Sequence, residues 1–150
     1  MRHRNQGFTL LEMMIVVAII GVIAAIAIPN LLRSKVQANE ASAVSDLRTI
    51  CAAQFSCATA RLSFGDFVTL IDEVDGQGTS FLDTSWFEGR VKSGYSFTMP
   101  VANLANFTCF ADPVSLGATG SRFYRIDSSG IVRFDAGGQP GPDGAILSES

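Results

Sequence analysis

Apolar and polar residues divide this chain into two unlike parts. From Met13 to Ile28 it reads MMIVVAIIGVIAAIAI, with no charge and no strongly polar side chain. After Pro29 the pattern changes. From Asn30 to about Leu62 there is no Pro or Gly, and Val36, Ala43, Leu47, Ile50, Cys51 and Ala58 recur at three-, four- and seven-residue spacings. Arg33, Lys35, Glu40, Asp46 and Arg48 lie mostly off that stripe. This is one face of an amphipathic helix. One helix is therefore predicted from Phe8 to near Leu62, ended by Ser63-Phe64-Gly65. Its first half is apolar all round, and its second half has a single stripe to set against a folded head.

Beyond Gly65 the period changes again. Gly65 to Gly94 is rich in Gly and acids (Asp66, Asp72, Glu73, Asp75, with Gly76-Gln77-Gly78) and reads as a loop-rich connection with one short helix around Phe81 to Phe87. Trp86 is expected to plug a core there, and the acids to form a solvated face. Strand-like runs follow at Gly94 to Met99, Phe107 to Ala111 and Arg122 to Ile126, and Asp127-Ser128-Ser129-Gly130 is turn chemistry that lets Ile131 to Phe134 pair back as a hairpin. The tail from Ala136, with two prolines and three glycines up to Pro142, reads as irregular. The predicted class is α+β: one long N-terminal helix packed on a small antiparallel sheet of three to four strands.

The apolar run sits behind a short basic start, MRHRNQ, which carries Arg2 and Arg4 and no acid. Positive charge ahead of an apolar span stays cytoplasmic. The 21 residues from Phe8 to Ile28 suffice to cross a hydrocarbon core about 30 Å thick. Such a span would place the N-terminus inside and everything after Pro29 outside. A secretory signal with Ala25-Ile26-Ala27 as its cleavage site, a plain signal anchor and a buried core helix compete for the same stretch. Glu12 fits none of them, because a carboxylate inside a membrane span costs about 2.5–3.5 kcal/mol on insertion scales and is usually functional.

Gly7-Phe8-Thr9-Leu10-Leu11-Glu12, after a short basic leader and before an apolar run, resembles the prepilin signature of type IV pilins and type II secretion pseudopilins, most of all a type IV major pilin. The likeness continues through Ile28-Pro29-Asn30-Leu31-Leu32 and more loosely to Leu47-Arg48-Thr49-Ile50. It implies a leader at 1–7 removed between Gly7 and Phe8 by a prepilin peptidase that also N-methylates Phe8, a membrane or filament-core helix at 8–29, its amphipathic continuation at 30–62 and a head at 63–150. It further implies self-association into a helical filament on an inner-membrane assembly platform, from a single-pass precursor with a periplasmic head to an extracellular pilus. Glu12 becomes the fifth mature residue, where the family keeps glutamate. Its carboxylate can neutralise the new amine on Phe8 of a neighbouring subunit, a pairing that favours one axial offset and so sets register rather than adding much stability. Gly21-x-x-x-Ala25 is a spacing that lets helix backbones approach closely. Pro29 leaves the Ala25 carbonyl without its helical donor, and the family resemblance implies that the helix softens between Gly21 and Pro29.

Composition narrows the function. The chain of 150 residues carries a formal charge of −3, and without Arg2 and Arg4 it holds nine basic against 14 acidic side chains. A surface of that sign gives no footing for nucleic-acid backbones. His3 is the single histidine. No nucleophile-elbow or phosphate-cradling motif occurs, so neither an enzyme nor a cofactor is expected. No metal site is expected either; Asp135 and Asp143 are only faintly like a calcium loop. Of the three cysteines, Cys51 and Cys57 lie six apart on one predicted helix, about 9 Å along its axis, beyond what a disulfide spans. An intramolecular bridge would have to join Cys109 to Cys57 or to Cys51; otherwise all three stay reduced. The expected function is a structural subunit of a type IV pilus, serving adhesion, twitching motility or DNA uptake. The alternatives are a type II secretion pseudopilin and a ligand-binding minor pilin.

Overall fold

A computed structural model describes residues 8–72 and 80–147. The leader at 1–7 and the loop residues Glu73, Asp75 and Gly76-Gln77-Gly78 lie outside them. The chain falls into two units, one up to Ser34 and one from Lys35. The described part of the first is helix from Leu10 on. It belongs to α1, Leu10–Arg61, which is helical over 52 residues. The predicted helix is thus present, and it stops where the sequence suggested. Leu62 takes the left-handed position past its end, with φ of 57°, a place that glycine more often fills.

The second unit joins the later part of α1 to a short helix and a sheet. Helix α2 is Phe67–Ile71. Asp66 caps it by accepting from the Thr69 amide at 2.8 Å and the Thr69 hydroxyl at 2.6 Å. The sheet contains β1 (Arg90–Lys92), β2 (Tyr95–Ala102), β3 (Phe107–Pro113), β4 (Phe123–Asp127), β5 (Arg133–Asp135) and β6 (Ala145–Ile146). They lie side by side in chain order, each antiparallel to the next. The alternation legible in the sequence decides the faces. Tyr95, Phe97 and Met99 of β2, Phe107, Cys109 and Ala111 of β3, and Tyr124 and Ile126 of β4 are buried, while the residues between them are not. They share one core with Ala43, Leu47, Ile50, Cys51 and Cys57 of α1. Fully burying a side chain such as Leu47 or Ile50 contributes about 1.5–3 kcal/mol. Trp86 completes the core as expected, stacked on Phe67 at 6.2 Å between centroids and edge-on to Phe97 at 5.2 Å.

Four details differ from the sequence reading. Among the described residues there are six strands rather than three or four, because β1 and β6 are too short to show a period. The short helix lies at 67–71, where Asp66 supplies a cap, and not around Phe81 to Phe87, where a turn at Asp83 to Trp86 replaces it. The tail is irregular from Ala136 to Gly144 as read, but it ends in a strand and packs on the head: Pro140 is fully buried, Gln139 donates its amide to Asp112, and β6 pairs with β5. Two polar residues share the buried stripe of α1, Asp46 and Gln54. Each is held. Lys92 of β1 reaches Asp46 at 2.6 Å. The Gln54 amide donates to the Gly65 carbonyl and accepts the Gly65 N–H at 3.0 Å, closing the chain reversal after α1. Gly65 is needed there, since a Cβ would come within 2.6 Å of the Thr69 side chain.

Candidate functional site

The sequence places its chemistry at the start of α1, and local geometry there explains how a carboxylate survives beside an apolar run. Thr9 is the N-cap. Its hydroxyl accepts the Glu12 amide at 3.2 Å, and Glu12 reaches back, its Oε2 accepting the Thr9 amide at 2.9 Å and the Thr9 hydroxyl at 2.8 Å. This reciprocal arrangement is a capping box. It satisfies backbone donors that a helix start leaves orphaned, and it places a negative side chain at the positive end of the helix dipole. Glu12 is therefore occupied within its own chain. The partner, Thr9, was not singled out in the sequence reading; the T-x-x-E spacing was the signal that could have found it.

Phe8 precedes the helix and is 79% exposed. Gly7, the other side of the expected scissile bond, lies outside the described residues. Beyond Glu12 no charged residue occurs until Arg33. Over this stretch Leu10, Leu11, Met14, Val17, Ile20, Val22, Ile23, Ile26 and Leu31 all stand exposed. Among the described residues α1 is the one helix long and apolar enough to cross a membrane, and none of its most apolar stretch is buried by the rest of the chain. Gly21 has nothing within 4 Å of where a Cβ would stand, which leaves open space for a close backbone approach. Pro29 lies inside α1, which is helical on both sides of it. Glu12, Gly21 and Pro29 thus share one helix whose apolar side chains have no cover of their own.

The three cysteines all belong to the core of the second unit, buried and unbridged. The Cys57 thiol donates to the Ser63 carbonyl at 3.5 Å. Burial pushes all three thiols above their ordinary range, most of all Cys109 in the middle of β3. Thiols so held are poor nucleophiles. Among the described residues no three His, Cys, Asp or Glu side chains stand together as a metal site would require. Asp135 instead accepts the Gly137 amide at 2.7 Å.

Comparison with known proteins bears out the resemblance at the N-terminus. A family model described as the prokaryotic N-terminal methylation motif matches residues 2–28. The chain is 40% identical over 78 residues to the type IV major pilin protein PilA of Myxococcus xanthus, an alignment that covers 52% of this chain and 36% of that protein. It is 49% identical over 47 residues to the type II secretion system core protein G of Dickeya chrysanthemi, covering 31% of each. The corresponding protein of Escherichia coli is 50% identical over 44 residues, covering 29% of this chain and 30% of its own. The chain thus matches about a third of the length of these relatives.

Proposed function

We propose that this chain is the precursor of a structural subunit of a type IV pilus. Cleavage between Gly7 and Phe8 frees an amine on Phe8, which is then methylated, and the exposed apolar helix packs with those of other copies as the filament core. The observation that carries the reading is the pairing of one capped carboxylate, Glu12, with a charge-free run whose apolar side chains the chain leaves uncovered. In the single subunit Glu12 bonds its own Thr9; in the filament it also meets the amine of a neighbour, so the contact selects one axial offset. The 78-residue match to a pilin extends well beyond the 27-residue motif and supports the pilus over other uses of the same helix. Localisation follows: inner membrane before assembly, head on the periplasmic side, then the cell surface. The function is structural, with no catalysis assigned to the chain.

The matches to type II secretion core proteins support a second reading, a subunit of a short periplasmic pseudopilus. Deleting the gene separates the two: a pilus subunit leaves cells without sheared surface filaments and with normal enzyme export, a pseudopilin the reverse. Within either, Glu12→Ala is expected to insert and be cleaved normally, since the span becomes more apolar. It should assemble at least tenfold less, because a charged hydrogen bond contributes about 1.5–3 kcal/mol and each 1.4 kcal/mol is about tenfold. Wild-type filament yield from Glu12→Ala would refute the role given to that carboxylate.

A further inference from the structure

The connection from β3 to β4 contains Val114 to Ser121, eight residues (VSLGATGS) that carry no charge. It is a built turn rather than a slack one. The Thr119 amide donates to the Ser115 carbonyl at 2.9 Å, the Ser115 amide to the Thr119 hydroxyl at 3.0 Å, and the Gly117 amide to the Gly120 carbonyl at 2.7 Å. Gly117, at φ of 81°, fills a left-handed position that other residues rarely adopt. Helix α1 holds the turn from one side. The Asn39 amide donates to the Thr119 carbonyl at 2.9 Å, and Glu40 accepts the Ser121 amide at 2.8 Å and its hydroxyl at 2.6 Å. On the other side the Val114 amide donates to the Gly94 carbonyl at 3.0 Å. So fixed, the turn still leaves Val114 58% and Leu116 59% exposed.

The turn lies at the end of the head where the chain enters it. The second unit begins at Lys35, Val36 is half-buried, and Asn39 already bonds the turn. The apolar run ends at Ile28, and the eight residues from there to Val36 rise about 12 Å as helix. The headgroup layer on one side of a bilayer takes up about 5–8 Å of that. Pro29, the kind of residue at which helices bend, lies in the same stretch. Charge agrees with a lipid surface nearby. Arg33 and Lys35 follow the run, and among the described residues neither has a carboxylate partner. Glu40, the acid on this part of α1, is taken up by Ser121 and the Tyr124 hydroxyl. The far ends of β2 and β3 are joined by a different turn, in which Leu104 is 78% exposed.

We propose that the Val114–Ser121 turn is a membrane-surface contact. Before assembly, Val114 and Leu116 enter the interface of the bilayer that holds α1, and Lys35 sets its ammonium on lipid phosphate. The proposal rests on the reading that the apolar run spans a membrane in the precursor, and adds to it where the head rests. Apolar side chains of this kind settle at the boundary of headgroups and acyl chains. A lysine stem lies along apolar surface while its ammonium stays among the headgroups. Contact through one turn holds the head in one orientation at the bilayer, and it is given up when the subunit leaves lipid.

Fluorescence of the full chain in vesicles of phosphatidylethanolamine and phosphatidylglycerol tests this. Ala118→Cys and Ala105→Cys place a thiol for an environment-sensitive dye in each of the two turns, near Leu116 and beside Leu104; both alanines are exposed and the native cysteines are buried. The Ala118 label is expected to lose about half of its emission to a lipid carrying a nitroxide near its headgroup, the depth at which interfacial side chains lie, and the Ala105 label almost none. Adding Val114→Ser and Leu116→Ser should bring quenching of the Ala118 label down to the Ala105 level. If the two labels are quenched alike, or the double substitution changes nothing, while the chain floats with the vesicles, the contact is overturned and the membrane anchor stands. If the wild-type chain does not float with the vesicles, the anchor reading fails, and this contact with it.

Discussion

The two ends of α1 are one continuous helix in two different settings. Before Ser34 the apolar side chains stand exposed all round, and among the described residues of that unit no other element covers them. After Lys35 a single stripe, Ala43, Leu47, Ile50, Cys51 and Cys57, is buried against the protein's own sheet. Helical propensity does not separate them, since both are rich in Ala and unbranched or β-branched apolar residues. What differs is who supplies the cover. The second half is stabilised within the chain, as most helices in soluble domains are. The first half leaves its apolar side chains without such cover; in the function proposed above, lipid supplies it in the precursor and other copies supply it in the filament. A helix can therefore be intact while its function is still unrealised.

The sharpest way to break the comparison is to cut the same kind of side chain from each half. Leu47→Ala should cost about 2.7–5 kcal/mol of head stability, the range for buried leucine truncation. Ile20→Ala should leave the head unchanged and lower filament yield instead. Thermal unfolding of the full chain in detergent, followed by fluorescence of the buried Trp86, distinguishes them. Equal shifts in the two variants would mean that the first half is packed against the head after all.

The cysteines test the continuity of the second half. Peptide mapping without reductant is expected to find any intramolecular bridge at Cys109, joined to Cys57 or Cys51. Such a bridge would close a loop of about 50 residues and add roughly 4 kcal/mol on the chain-entropy account. A bridge between Cys51 and Cys57 within one subunit would show the helix broken between them.

How much of this was legible in the sequence depended on period. Helix α1 and strands β2, β3 and β4 announce themselves by sustained spacing, and Asp127 to Gly130 by turn chemistry, with Gly130 at φ of 73° and its amide on the Asp127 carbonyl at 2.9 Å. The three-residue β1 and two-residue β6 carry no period and were missed. Asp46 and Gln54 were missed for another reason: a polar residue reads as solvent-facing until its partner is known, and Lys92 and Gly65 lie 46 and 11 residues away. At the N-terminus the motif residues were all visible. The local partner of Glu12 was visible too, but its spacing was read as part of a family signature rather than as a cap.

Acid probes the head through Asp127. Asp127 accepts from the Ser129 hydroxyl and amide and stands 3.3 Å from Arg125 and 3.4 Å from Arg133. Burial works to raise its pKa, but the Ser129 hydrogen bonds and the two guanidiniums outweigh it, and the carboxyl is held below its ordinary value. A depressed carboxylate contributes stability above its unfolded pKa, near 3.9, that is lost as pH falls through the lower folded value. Asp127→Asn should cost the head about 1.5–3 kcal/mol near neutrality and flatten its acid unfolding below about pH 4. An unchanged acid profile would remove Asp127 from the account.

Thr9→Ala gives the smallest effect and falls on the other side of the comparison. Loss of an N-cap costs about 0.5–2 kcal/mol, here confined to the first turn of α1. Head unfolding should not move, while Glu12 loses its hydroxyl partner and filament yield drops less than in Glu12→Ala. An effect on the head equal to that of Asp127→Asn would contradict the independence of the two halves.

The central claim, that the uncovered half of α1 begins at a new terminus made for assembly, is tested most directly by the intact mass of the chain recovered from sheared surface fractions. The account predicts a chain that starts at Phe8 and carries one added methyl group. A chain that still starts at Met1, or one cut near Ile28 so that the apolar half is gone, would contradict it.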